Sequence, residues 1–297
     1  MDIKLLKILQ IAAITAIATG GLSLLIPKIG FNLLTIKKPV SHSHQTGLSA
    51  LAQAVNQSDT HTVNIPKAFQ GAIVYQGQLK ANEKVVALSF DDGPGPKNTA
   101  QVLEILKKNH IKATFFMIGE MVQYFPQIAK QVAADGHVIG NHTWHHWYRK
   151  MDLATATSEI NRTADIIYKI TGKKTNLFRP PGGFLHNGLT DYAKSQKYAV
   201  MMWSDESGDS ERRIPQAPKL VKNVIKGIKP GAIVLMHDGG GNRSRSVAAL
   251  PEIINDLKTQ GYRFVTIPEL LEIQAQEQNL ITATSAVVTN HEQPIHQ

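Results

Sequence analysis

Seven short runs along this chain read as strands: KVVALSF (84–90), ATFFMI (113–118), HVIGN (137–141), NLFRP (176–180), YAVMMW (198–203), AIVLMH (232–237) and YRFVTI (262–267). Most are apolar without strict alternation, the pattern of strands buried on both faces. Longer segments with one apolar face separate them. NTAQVLEILKKNH (98–110) gathers Val102, Leu103, Ile105 and Leu106 on one broad face. FPQIAKQVAADG (125–136) has Pro126 near its start and Gly136 just past its end, the asymmetry of a helix. Segments 155–172, 218–227 and 247–261 continue the series. Repeated strand–helix units predict an α/β fold with a parallel sheet. Seven such strands predict a distorted, incomplete (β/α)7 barrel rather than an open sheet.

The pattern breaks at both ends. Lys4 and Lys7 precede Ile8–Pro27, which carries no charge. A basic start before an apolar run of roughly 20 residues predicts a membrane anchor or a signal peptide. Ala16-Ile17-Ala18 offers a cleavage site, but the apolar run continues to Ile26, which favours an anchor. Either outcome exports the remainder, with the positive end left in the cytoplasm. Four segments are expected: 1–27 at the membrane, 28–82 a polar linker and lead-in, 83–272 a catalytic domain, and 273–297 a polar tail.

Composition changes this picture little. The chain has 297 residues, no cysteine and a net charge of +9. Its basic residues are scattered, as at Lys107-Lys108, Arg212-Arg213, Arg243 and Arg245, and form no nucleic-acid-binding module. No nucleic acid partner is expected. For an exported protein, the charge suits an anionic cell envelope.

Barrels of this kind place their chemistry where strands end. The first run ends in Asp91 and Asp92, followed by Gly93-Pro94-Gly95-Pro96. A turn accounts for that stretch; so does a metal site, if further donors exist. After the third run, GNHTWHHW places His142 and His146 four apart, with His145 a spare. Two histidines and a carboxylate would hold a divalent metal with positions left open. The fourth run ends in Arg179, then Pro180, Pro181, Gly182 and Gly183; the fifth brings Trp203, Asp205, Glu206 and Asp209; the sixth brings Leu235 and His237.

In motif order and spacing, residues 83–272 resemble the polysaccharide deacetylase family, also called carbohydrate esterase family 4 or NodB-like. The resemblance implies that Asp91 is the catalytic base, with Arg179 pairing with it. It makes Asp92, His142 and His146 the metal donors and His237 the general acid, supported by Asp209. Gly182 offers a backbone N–H to the oxyanion, and Trp203 and Leu235 line the acetyl pocket. Two departures stand out. Ser210 follows Asp209 where the family often has tryptophan, and Glu206 replaces a common aspartate, so Asp205 and Glu206 rival Asp209.

The function this implies is metal-dependent removal of acetyl groups from an envelope polysaccharide containing N-acetylglucosamine, peptidoglycan or similar. Zinc is the expected metal, with cobalt, nickel or iron(II) fitting the same donors. Chitin oligomers and O-acetylated xylan are alternative substrates, and an inactive glycan-binding protein of the same fold is the alternative class. Trp144, Trp147 and Tyr148 could stack on sugar rings or pack in the core.

Overall fold

The computed structural model describes residues 62–291 apart from Ala81. The expected membrane segment and most of the expected linker lie outside the described residues. Among the described helices, none is long and apolar enough to cross a membrane.

The strands are β1 Ile73–Val74, β2 Val85–Asp91, β3 Thr114–Met117, β4 Val138–Asn141, β5 Leu177–Phe178, β6 Ala199–Met201, β7 Asp205–Glu206, β8 Ala232–His237 and β9 Arg263–Phe264. They join one sheet in the order β1-β6-β5-β4-β3-β2-β8-β7, with β9 also pairing β2, and every pairing is parallel. All seven expected strands are present; β1 and β7, two residues each, are additions. Strand β7 follows β6 closely in the chain but pairs with β8 at the far end of the order. The sheet therefore curls almost into a ring, the incomplete barrel that the seven-strand pattern predicts.

Strand periodicity explains both the core and the site. In β2, Val86, Leu88 and Phe90 face the helices and pack with Leu103, Leu106 and Ile253. Val85 and Ala87 face the barrel interior with Phe116, Ile233 and Leu271. Successive strand residues point to opposite faces, so Ser89 and Asp91 continue the interior row. That row runs from apolar at the bottom to polar at the top. Strand β8 repeats it, with Ile233, Leu235 and His237 on one face and Val234 and Met236 among the helix-facing core. Its register sets His237 opposite Asp91. Gly140 lets the sheet close tightly here, because a Cβ on it would meet the Phe116 ring at 2.4 Å.

The helices are α1 Asn98–Lys108, α2 Gly119–Tyr124, α3 Pro126–Ala134, α4 Leu153–Thr171, α5 Leu189–Ser195, α6 Ala217–Gly227, α7 Ser244–Thr259 and α8 Ile267–His291. Helix α4 starts two residues earlier than its pattern suggests, because Asp152 caps it by accepting the Thr155 N–H at 2.8 Å. It ends at Gly172, whose left-handed φ of 70° is the expected stop signal. Residues 273–291 of the expected polar tail continue α8 as helix. Gln274 is buried, and its side chain accepts the Gln78 N–H at 3.0 Å.

Candidate active site

Asp91 is the last residue of β2, and its carboxylate faces the interior by alternation. Alternation alone would turn Asp92 outward. Asp92 instead adopts a left-handed backbone, φ 73°, which non-glycine residues rarely take. Both carboxylates consequently line one cleft of about 200 Å³. Adjacent acids serve one site because the strand ends between them.

The sheet ladder delivers the next groups. The His142 N–H donates to the Met117 carbonyl at 3.0 Å and the Arg179 N–H to the Asn141 carbonyl at 3.0 Å. His142 Nδ1 lies 2.7 Å from the Arg179 carbonyl oxygen. That oxygen only accepts, so Nδ1 carries the proton and Nε2 presents a lone pair. Nε2 points at Asp92 Oδ1, 3.6 Å away, and His146 Nε2 lies 3.1 Å from the same oxygen. Asp92 Oδ1 is nevertheless buried without a hydrogen-bond partner. Donor atoms of Asp92, His142 and His146 lie within 4.8 Å of one another. A carboxylate oxygen facing an imidazole lone pair is repulsive unless a cation lies between them, so these residues fit a divalent metal. Burial, chiefly, and the neighbouring His142 push the His146 pKa down to about 4, which leaves its ring neutral and able to coordinate.

Two supported pairs flank this cluster. Arg179 is fully buried and donates to Asp91 Oδ1 at 2.7 Å, Ser89 Oγ at 3.0 Å, and the Met201 and Met202 carbonyls at 2.9 and 3.1 Å. Opposite, His237 Nδ1 lies 2.8 Å from Asp209 Oδ1, and the His237 backbone N–H donates to Asp209 Oδ2 at 2.9 Å. Burial works against charging His237, but the Asp209 carboxylate, with the charges of Asp91 and Asp92 adding to it, outweighs burial and raises the His237 pKa. Burial likewise opposes ionising Asp209, and its bond to His237 wins and lowers the Asp209 pKa. Of the three acids left open by the sequence, Asp209 is the one that reaches His237. Asp205 and Glu206 form β7.

Gly182, Trp203 and Leu235 line the cleft. The three aromatics beside the histidines separate. Trp144 is buried with Arg162 over its ring at 4.0 Å, and Trp147 is stacked on His145 with the Arg149 guanidinium 4.2 Å from its ring centre. Only Tyr148 is exposed and lines the cleft, in contact with the exposed Phe184.

Arg243 is not the solvated surface cation that its sequence context suggests. It is buried at the cleft, donates to the Gly239 carbonyl at 2.6 Å and the Asp209 carbonyl at 2.5 Å, and lies 3.8 Å from Asp92 Oδ2. Asp238 is also missed by pattern alone. It lies fully buried behind the Asp91–Asp92 turn, holding the Thr99 hydroxyl at 2.6 Å. Burial, foremost, with the charges of Asp92 and Asp91 adding to it against the Thr99 bond, pushes its pKa up to about 7. Its position directly after His237 was the available signal.

Comparison with known proteins agrees with this geometry. Residues 78–201 match the family model described as polysaccharide deacetylase. The chain is 44% identical over 199 residues to a peptidoglycan-N-acetylglucosamine deacetylase of Bacillus cereus, covering 65% of this chain and 91% of that protein. It is 36% identical over 204 residues to the peptidoglycan-N-acetylmuramic acid deacetylase PdaA of Bacillus subtilis, covering 66% and 74%. A solved structure of a peptidoglycan N-acetylglucosamine deacetylase, crystallised with a benzamide ligand, superposes with a TM-score of 0.63 at 36% identity, covering 67% of this chain and 92% of that one.

Proposed function

The chain belongs to the polysaccharide deacetylase family, and on that premise we propose that it removes the acetyl group from N-acetylglucosamine in peptidoglycan, using one divalent metal, zinc foremost. What carries this is the Asp92 oxygen left buried and unpartnered beside two imidazoles. Asp92, His142 and His146 would hold the ion, and three protein donors are the number that leaves a coordination position for chemistry. When bound, such an ion lowers the pKa of water and polarises a carbonyl. Cobalt, nickel and iron(II) suit the same donors.

The remaining work falls to the chain's own groups. Hydrolysis adds water to the acetamide carbon, breaks the carbon–nitrogen bond and releases acetate and an amine. One group must take a proton and another must return one. Asp91 takes it, with one oxygen held by Arg179 and the other in the cleft. His237 gives its own proton to the departing nitrogen through Nε2, because Asp209 occupies Nδ1. Its raised pKa keeps it protonated for that step. Gly182 offers its backbone to the oxyanion, and Leu235 and Trp203 wall the acetyl methyl. The cleft volume suits an acetamido group, with the rest of the polymer lying outside. Retention of all these groups in working geometry disfavours an inactive glycan binder. The uncharged run Ile8–Pro27 behind Lys4 and Lys7 supports export, with residues 1–27 holding the catalytic domain outside the membrane.

The test is acetate release after metal stripping and zinc reloading, from peptidoglycan, N-acetylglucosamine oligomers and O-acetylated xylan. Zinc-dependent release from peptidoglycan glucosamine is expected. Release from muramic acid residues alone would reassign the sugar. Binding of a glycan with no release from any of them would leave the inactive binder.

A further inference from the structure

The loop that carries His142 and His146 has no regular secondary structure, yet it must hold both imidazoles still. Thr143 and His146 have left-handed φ values of 66° and 60°, conformations such residues rarely adopt unless held. Part of the hold is local: the His146 N–H donates to Thr143 Oγ1 at 3.1 Å, the Thr143 N–H donates to Asn141 Oδ1 at 3.0 Å, and the Gly119 and Glu120 N–H groups donate to the Thr143 and Trp144 carbonyls. A further hold comes from Glu159 on α4, which is 2% exposed. Its Oε2 accepts the backbone N–H groups of Trp144 at 3.0 Å and His145 at 2.9 Å. Its Oε1 lies 2.5 Å from His145 Nδ1. A carboxylate only accepts, so that ring nitrogen donates. All three donors belong to the two residues immediately before His146. The His145 ring is stacked on Trp147, 4.1 Å between centroids and 5° between planes, so the carboxylate bonds the residue before His146 and, through that ring, touches the residue after it. A buried carboxylate is costly unless hydrogen bonds compensate it, and the hydrolysis has no use for this one.

We propose that Glu159 is a positioning residue for the metal site: it anchors the loop backbone in the conformation that presents His146 Nε2 beside Asp92. His145 is its handle and not a metal donor. This depends on reading Asp92, His142 and His146 as the metal site.

The experiment measures zinc affinity of full-length protein by competition with a chromophoric chelator. It also measures thermal melting of the metal-free form and deacetylation at saturating zinc. Glu159→Asp keeps the charge but withdraws the acceptors by one methylene, and should weaken zinc binding by about 10–100-fold, the range for partners that orient metal ligands. Saturating zinc should restore much of its activity. Glu159→Gln keeps an oxygen for the two backbone N–H groups, and its affinity should stay close to wild type. Ile167→Val, a fully buried change on the same helix, should lower the melting temperature and leave zinc affinity unchanged. A Glu159→Asp protein that melts lower yet binds zinc as tightly as wild type would overturn the proposal. Equal losses in Glu159→Gln and Glu159→Asp would also overturn it, by pointing to charge rather than acceptor placement. Wild-type protein that binds no zinc would instead remove the metal reading beneath it.

Discussion

Asp209 holds His237 twice, one carboxylate oxygen 2.8 Å from Nδ1 and the other 2.9 Å from the backbone nitrogen of the same residue. The two contacts fix both the ring and the strand end that carries it, and they leave Nε2 as the proton-bearing atom toward the cleft. The consequence is a pH dependence with a definite sign. His237 must be protonated to donate, and its pKa is raised by Asp209 against the opposing effect of burial. Activity should therefore persist to a higher pH than an ordinary histidine allows, and fall as pH rises through the His237 pKa. Asp209→Asn removes the foremost charge that raises it, so the alkaline limb of the kcat/KM profile should move to lower pH. His237→Ala should lose that limb and roughly 10²–10⁴-fold in rate. An unmoved limb in Asp209→Asn would show that another group is the acid.

Asp91 and Arg179 form a pair with almost no solvent contact, 4% and 0% exposed at their side chains. Removing one partner from such a pair leaves a buried charge and costs about 3–5 kcal/mol. Arg179→Met should show a loss of that order in urea unfolding, together with loss of activity. Asp91→Asn keeps the shape, and still accepts from Arg179 through its amide oxygen. It should fold and keep metal while losing roughly 10²–10⁴-fold in rate. Wild-type activity in Asp91→Asn would remove Asp91 as the proton acceptor.

The sequence reveals what sits at the ends of strands and conceals what reaches in from elsewhere. Asp91, His142, Arg179 and His237 are legible because an apolar run ending in a polar residue marks the rim of a barrel. Asp92 is legible as a neighbour, but not the left-handed turn that brings it inward. Asp209 is preferred over its rivals Asp205 and Glu206 only through the family resemblance, because it follows an irregular segment whose path depends on β7 pairing with β8. β7 is polar and β1 lies in a short stretch of the lead-in, outside the alternating runs that reveal the equally short β5 and β9, and the six-residue α2 spans less than two turns. Glu159 and Arg243 stay hidden for a different reason. Each acts on backbone amides or carbonyls of another segment, and such contacts leave no pattern in their own neighbourhood.

Removal of the metal donors should be selective. His142→Ala and His146→Ala each delete one of three donors and should lose most bound zinc by elemental analysis, with activity following. His145→Ala should retain zinc when the metal is in excess, because its ring faces Glu159 and not Asp92. Chelation of wild-type protein should abolish acetate release, and zinc should restore it. Wild-type zinc content in both His142→Ala and His146→Ala would dissolve the proposed site.

Arg243 links the two halves of the site through backbone carbonyls. Its Nε donates to the Gly239 carbonyl and one terminal nitrogen to the Asp209 carbonyl, tying the segment after β8 to the loop that carries Asp209. Its charge also lies 3.8 Å from Asp92. Arg243→Ala would free the Asp209 loop and remove a cation beside the metal donors. Arg243→Lys keeps the charge but cannot span both carbonyls with a planar fork. If geometry dominates, both variants should lower kcat, and the alkaline limb set by His237 should move down in both as Asp209 loosens. If charge dominates, the lysine variant should retain activity and only the alanine variant should alter metal affinity. Arg243 donates directly to two carbonyls but stands 3.8 Å from the carboxylate, which favours geometry, because direct hydrogen bonds fix position more tightly than an ion pair near its distance limit. Arg243→Lys should thus behave like Arg243→Ala in the pH profile. Wild-type kcat and limb in the lysine variant would show that Arg243 acts through its charge.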